Sequence, residues 1–133
     1  MLLLDTNIVS YWMRGDQNIL SRIMEYRPCD LAICTITVAE ILYGIEKSPV
    51  KKKLRRKKID SICSQLDVIV FDETAAEKYS IIRVRLEKKG IPISERDLQI
   101  AAIALAGGHR VVTHNTREFK RVEGLTVEDW VAD

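Results

Sequence analysis

The first nine residues, Met-Leu-Leu-Leu-Asp-Thr-Asn-Ile-Val, run an apolar stretch straight into a carboxylate. A short, unbroken apolar run of this kind predicts a buried strand with Asp5 at its carboxyl end. In open α/β sheets, ligands bind in the crevice outside the carboxyl ends of the parallel strands, so an acid leaving such a strand stands where chemistry occurs. Asp5 also suits a purely structural role, as N-cap of a helix starting at Asn7 or Ile8. A chemical role therefore needs partners from elsewhere in the chain.

The remaining pattern alternates strand and helix. A short helix is expected over 7–13, broken at Gly15-Asp16, then a second over about 17–25 that stops before Pro28. Leu31-Ala32-Ile33-Cys34-Thr35 predicts a second buried strand, and about Val38 to Glu46 a helix with Ile41, Leu42 and Ile45 turned inward. A basic helix follows with Pro49 near its start, then a third strand at Val68-Ile69-Val70-Phe71. The next helix carries Ala75, Tyr79, Ile82 and Leu86 at core spacing and is stopped by Gly90.

Residues 90–97 form a loop into a helix where Leu98, Ala101, Ala102 and Leu105 recur on one face. Gly107-Gly108 ends it, residues 109–113 make a fourth strand, and Leu125-Thr126-Val127 suits a fifth, at an edge. Strands separated by helices throughout imply an α/β class: a three-layer α/β/α sandwich around a central parallel sheet of four to five strands. Asn115 then emerges at the same end as Asp5. At 133 residues, 47% hydrophobic and 30% charged, the chain suits a single domain over 1–133.

No window is apolar for long enough to cross a bilayer, and the N-terminus lacks the basic region and cleavage site of a signal peptide. A soluble, cytoplasmic protein is expected. Cys29, Cys34 and Cys63 are odd in number and form no C-x-x-C pair, which argues against a disulfide framework and a zinc site. Reduced, mostly core-filling thiols are expected. His109 and His114 match no metal-ligand spacing either.

A net charge of +2 is too small to signal a nucleic-acid binder, but the charge is unevenly placed. Seven of the 21 basic residues lie in Lys51-Lys52-Lys53-Leu54-Arg55-Arg56-Lys57-Lys58. Leu54, Ile59, Ile62, Cys63 and Leu66 gather on one side of that helix, so its basic face is accounted for as solvated surface. Such a face also attracts a phosphate backbone, with Lys52, Lys53 and Arg56 the candidate contacts.

Asp5, Glu40 and Asp97 all fall at or near helix starts. Thr37-Val38-Ala39-Glu40 and Ser94-Glu95-Arg96-Asp97 both match the capping box, in which the acid satisfies a free backbone N–H. Thr74-Ala75-Ala76-Glu77 matches it too. A parallel sheet nevertheless brings strand ends and the neighbouring helix starts to one edge, where these acids can meet. Carboxylates crowded together repel one another and must take up protons or bind a cation; with oxygen ligands alone that cation is magnesium or manganese. Bound there, it acidifies water, holds a phosphate oxygen and offsets the charge of a leaving alkoxide, the requirements of phosphodiester hydrolysis.

These residues resemble the PIN-domain ribonucleases, and most closely the VapC-type toxins of toxin–antitoxin pairs. The resemblance runs nearly end to end. It rests on Leu4-Asp5-Thr6-Asn7, on Thr37-Val38-Ala39-Glu40-Ile41-Leu42-Tyr43-Gly44, and on Ile91-Pro92-Ile93 with Asp97-Leu98-Gln99-Ile100-Ala101-Ala102. It closes with Val112-Thr113-His114-Asn115 through Phe119 and Gly124-Leu125 to Trp130.

The resemblance implies that Asp5, Glu40 and Asp97 are acidic metal-binding residues, and that Asn115 fills a fourth position where many members carry Asp. An amide supplies neither negative charge nor a base, so a second metal position is weakened. Thr6, Asn7 and Thr113, with Asn115, are then expected to orient water or substrate. Also implied are an Mg²⁺- or Mn²⁺-dependent endoribonuclease, RNA (tRNA among the candidates) as substrate, products with a 5′-phosphate, a VapB-type antitoxin, a homodimer and hetero-oligomers with the antitoxin.

The antitoxin would lie in a groove, for which Trp12, Met13, Tyr43 and Ile45 are candidates. Two rival readings are a non-catalytic PIN-like domain that binds RNA or protein, and a housekeeping RNA-processing nuclease. A haloacid dehalogenase-type phosphatase needs a second Asp two residues after the first, where this chain has Asn7. A receiver domain needs an acidic pair after its first strand, which is missing.

Overall fold

The computed structural model describes residues 1–131. Its centre is the apolar run at the start: β1 (Leu2–Leu4), every residue of it buried. Around it lie β2 (Leu31–Cys34), β3 (Asp67–Ile69), β4 (Arg110–Val112) and β5 (Val127–Glu128), in the spatial order β3-β2-β1-β4-β5. Every pairing is parallel, with Leu3 registered against Ala32 on one side and Val111 on the other.

Successive side chains of a strand point to opposite faces, and two cores result. Leu3, Ala32, Cys34 and Val111 face one layer, made by α5 (Glu73–Lys88), α6 (Glu95–Gly107) and Phe119 of the short α7 (Thr116–Phe119). Leu2, Leu4, Leu31, Ile33 and Val112 face the other. That layer is made by α1 (Thr6–Met13), α2 (Gln17–Met24), α3 (Thr35–Lys47) and α4 (Lys52–Gln65), closed by Trp130. This is the three-layer sandwich expected, with five strands.

Several boundaries differ from expectation. The third strand is Asp67–Ile69 rather than residues 68–71, and Val68 and Val70 are exposed because β3 is an edge strand covered on one side only. Helix α3 starts at Thr35, with Cys34 as N-cap, so Thr37 lies inside the first turn and makes no capping box with Glu40. Asp72, not Thr74, caps α5, its carboxylate accepting from the N–H of Ala75 at 2.9 Å.

Ser94 does cap α6, accepting from the N–H of Asp97 at 3.3 Å. The same helix ends on Gly108 at φ +67°, a left-handed conformation that costs other residues roughly 1 kcal/mol or more. All three cysteines are free; Cys34 is buried and Cys63 half-buried, but Cys29 is exposed and fills no core. Among the described residues no helix is long and apolar enough to cross a membrane.

Candidate metal centre

The site forms where the sheet ladder runs out. The N–H of Asp5 still bonds to the carbonyl of Val112 at 3.0 Å, and that of Thr113 to the carbonyl of Glu128 at 2.9 Å. Both residues are thus anchored to the sheet as it ends, side by side on neighbouring strands.

Asp5 is 3% exposed and takes on both roles considered for it. One carboxylate oxygen caps α1, accepting from the N–H of Ile8 at 3.1 Å, while the other accepts the hydroxyl hydrogen of Thr113. Burial pushes its pKa up to about 6. The hydrogen bonds from Thr113 and Ile8 pull the other way without overcoming burial, and the charge of Glu40 adds to the rise.

Glu40 sits in the second turn of α3, facing the start of α1. One oxygen accepts from the hydroxyl of Thr6 at 2.7 Å, and the other receives the guanidinium of Arg96 at 3.1 Å. The early start of α3 leaves Thr37 fully buried, in contact with Thr6 through their hydroxyls at 3.3 Å. Asn7 is exposed, and its backbone N–H faces Asp5.

Asp97 enters from the first turn of α6. Since Ser94 does the capping, the Asp97 carboxylate is left to accept the side-chain amide of Asn115 at 2.8 Å. The same amide donates to Glu118 at 3.0 Å, while the N–H of Asn115 bonds to the Thr113 hydroxyl at 2.9 Å. Asp97 is pushed up to about 7, first by burial, then by the hydrogen bond and charge of Glu118, with Asn115 opposing and Asp5 contributing. Glu118 is lowered, chiefly by its hydrogen bond with Asp97. Both carboxylates accept the Asn115 amide, which lies between them.

Asp5, Glu40, Asp97 and Asn115 therefore meet at one edge, and the structure adds two residues that sequence reasoning missed. Glu118 brings the negative charge that Asn115 lacks. Its signal was its place three residues beyond Asn115, one turn along a short helix. Arg96, the residue before Asp97, had no signal, because its contact is with a side chain 56 residues away.

The donors are all oxygen, and two of the four carboxyls have pKa values raised first by burial and then by neighbouring acids. That chemistry fits a hard divalent cation. Among the described residues, no three His, Cys, Asp or Glu side chains are already drawn together as a coordination cage. Their oxygens are instead engaged by Thr113, Thr6, Arg96 and Asn115.

Beside Glu40 opens a groove of about 740 Å³ between α1, α3 and α4, lined by Met13, Tyr43, Ile45 and Leu54 together with Arg14, Lys51, Arg55, Lys58 and Arg96. Trp12 lines a separate hollow between α1 and α4. Lys52 is paired with Glu46 at 2.9 Å and Arg56 with Asp60 at 3.1 Å, while Lys53 is exposed. None of these three lines the groove. Arg55 is tied to the carbonyls of Gly44 and Ile45, both at 3.3 Å, and to that of Ser48, closing the end of α3.

The PIN domain family model matches residues 2–125. The chain is 36% identical over 130 residues to ribonuclease VapC2 of Rickettsia felis, covering 96% of each. It is 34% identical over 128 residues to the tRNA(fMet)-specific endonuclease VapC of Shigella flexneri, again covering 96% of each. A crystal structure of DNA-bound VapBC from Salmonella typhimurium superposes with a TM-score of 0.90 at 34% identity, covering 97% of each chain. With acids gathered at the carboxyl edge of the sheet and matches spanning nearly its whole length, the chain belongs to the PIN-domain family of VapC-type ribonucleases.

Proposed function

We propose that this protein is the endoribonuclease toxin of a VapBC-type pair, hydrolysing RNA phosphodiester bonds with Mg²⁺ or Mn²⁺ and neutralised by a VapB-type antitoxin. The carrying observation is the chain of contacts at the sheet edge: the Thr113 hydroxyl bonds both Asp5 and the N–H of Asn115, and the Asn115 amide bonds both Asp97 and Glu118. PIN-domain ribonucleases are metal-dependent, and an all-oxygen donor set favours Mg²⁺ or Mn²⁺ over softer metals.

When bound, the cation supplies an acidified water and offsets charge on the phosphate and the leaving oxygen. Asp5 and Asp97 would hold it, with Glu40 reaching it directly or through its water and Glu118 adding negative charge beside Asp97. Thr113 and the N–H of Ile8 fix the Asp5 carboxylate in one orientation. Asn115 ties Asp97 to Glu118 and, as an amide, takes no proton itself. Glu40, one oxygen held by Thr6, accepts the proton of the attacking water. The water oxygen adds to phosphorus, the bond from phosphorus to the 3′ oxygen breaks, and that oxygen takes up a proton. The products are a 5′-phosphate and a 3′-hydroxyl.

The groove, apolar at Met13, Tyr43 and Leu54 and bordered by Glu40 and Arg96, suits an antitoxin segment. The Salmonella typhimurium neighbour is a VapBC complex. A homodimer and larger assemblies with antitoxin accompany this reading. Because the Shigella flexneri relative is a tRNA(fMet)-specific endonuclease, tRNA is the first substrate to test. Purified protein is incubated with total tRNA in Mn²⁺ and in chelator. Cleavage confined to Mn²⁺, with 5′-phosphate ends, is expected. Equal RNA breakdown by wild type and Asp5→Asn overturns the reading.

A further inference from the structure

Among the described residues, Arg96 is the basic side chain recorded in an ion pair with the acids of this site; Arg121 acts on Glu118 through its charge without a recorded hydrogen bond or ion pair to it. The Arg96 guanidinium lies 3.1 Å from Glu40, bridging the first turn of α6 to the second turn of α3. The arginine side chain is 65% exposed and that of Glu40 only 21%. An ion pair so open to water is weak, so a divalent cation reaching Glu40 would displace it. Mutual repulsion drives the guanidinium away from that cation. It stays tethered one residue from Asp97, on the wall of the groove that also carries Lys51 and Lys58. A planar guanidinium donates two parallel N–H bonds to a phosphate, which an ammonium does not.

We propose that Arg96 binds an RNA phosphate beside the cleaved bond, and that its pairing with Glu40 and a metal's hold on Glu40 exclude one another. The proposal rests on the nuclease reading above and adds to it a residue that grips the substrate and competes with the metal.

The test uses the full chain and the variants Arg96→Gln and Arg96→Lys, each checked for an unchanged thermal midpoint. In calorimetric titrations without RNA, Arg96→Gln is expected to bind Mn²⁺ several-fold more tightly than wild type, since the competing charge is gone. In saturating Mn²⁺ with tRNA, the same variant is expected to raise KM about tenfold and to lower the slope of log(kcat/KM) against log salt by about one phosphate contact. Arg96→Lys, which keeps the charge, is expected to restore the slope. Unchanged Mn²⁺ affinity, an unchanged KM or an unchanged slope in Arg96→Gln each overturns the proposal while leaving a wild type that cleaves RNA a nuclease. A wild type that cleaves no RNA in Mn²⁺ overturns the nuclease reading itself.

Discussion

Thr113 donates its hydroxyl hydrogen to the buried carboxylate of Asp5, a residue 108 positions away that parallel pairing of β1 and β4 makes its neighbour. The same hydroxyl oxygen accepts the N–H of Asn115, so one side chain fixes both the first acid and the loop that carries the amide. Thr113→Val keeps the shape and removes the hydroxyl. It is expected to destabilise the protein by about 1–3 kcal/mol, the cost of leaving buried polar groups without partners. Urea unfolding at pH 7.5 measures this, and Thr113→Ser is expected to recover most of the loss.

Asp5 and Asp97 hold pKa values of about 6 and about 7, both above the ordinary 3.8. In each case the folded protein binds its proton more tightly than the unfolded chain. The stability this confers is complete below pH ~4 and is lost as pH rises through the folded values. For Asp5 the rise corresponds to about 3 kcal/mol; Asp97, partly open to solvent, contributes less. The metal-free protein is therefore expected to melt at a lower temperature at pH 7.5 than at pH 5. Asp5→Asn flattens that dependence, and thermal scans in chelator across this range check both.

Asn115 separates Asp97 from Glu118 by donating to each, at 2.8 and 3.0 Å. Asn115→Asp replaces the donor by a third acid. In chelator at neutral pH the variant is expected to melt lower than wild type, because like charges now meet where a hydrogen bond stood. Mn²⁺ is expected to raise its melting point more than that of wild type and to bind more tightly in calorimetry. Weaker Mn²⁺ binding by this variant counts against the assignment of these residues to the metal.

Helix α4 and its N-cap Lys51 carry two sets of basic side chains. Lys52 and Arg56 are partnered by Glu46 and Asp60, whereas Lys51 and Lys58 line the groove next to Glu40. Charge already paired contributes less to releasing counterions from RNA. Joint replacement of Lys51 and Lys58 by Gln is expected to weaken tRNA binding and flatten its salt dependence by up to about two phosphate contacts. The same change at Lys52, Lys53 and Arg56 is expected to have the smaller effect. Salt titrations of tRNA binding in chelator compare the two sets.

Three similar capping patterns illustrate how far local sequence reaches. Ser94 caps its helix, though Asp97 turns to Asn115 instead of returning the bond; Thr74 is pre-empted by Asp72, and Thr37 lies inside the first turn of α3. A capping box is a few residues long and says nothing about which start the packing will choose. Inside α3, Thr37 is wholly buried and meets Thr6, and Glu40 is left to face α1 rather than its own helix end. Its freedom for chemistry comes from that displaced start.

Apolar periodicity and the order of strand and helix were enough to specify a parallel α/β/α sandwich with Asp5 and Asn115 leaving strands at the same end, because those features depend on near neighbours and on a handed, parallel topology; singling out Glu40 and Asp97 among the helix-start acids rested on the family resemblance. Glu118 as the supplier of the missing charge, Arg96 on Glu40 and the division of α4 into paired and groove-lining basic residues emerge only on folding. Each depends on side chains from different elements coming within hydrogen-bonding distance, and burial, which sets the pKa values of the acids, belongs to the assembled molecule and not to any stretch of the chain.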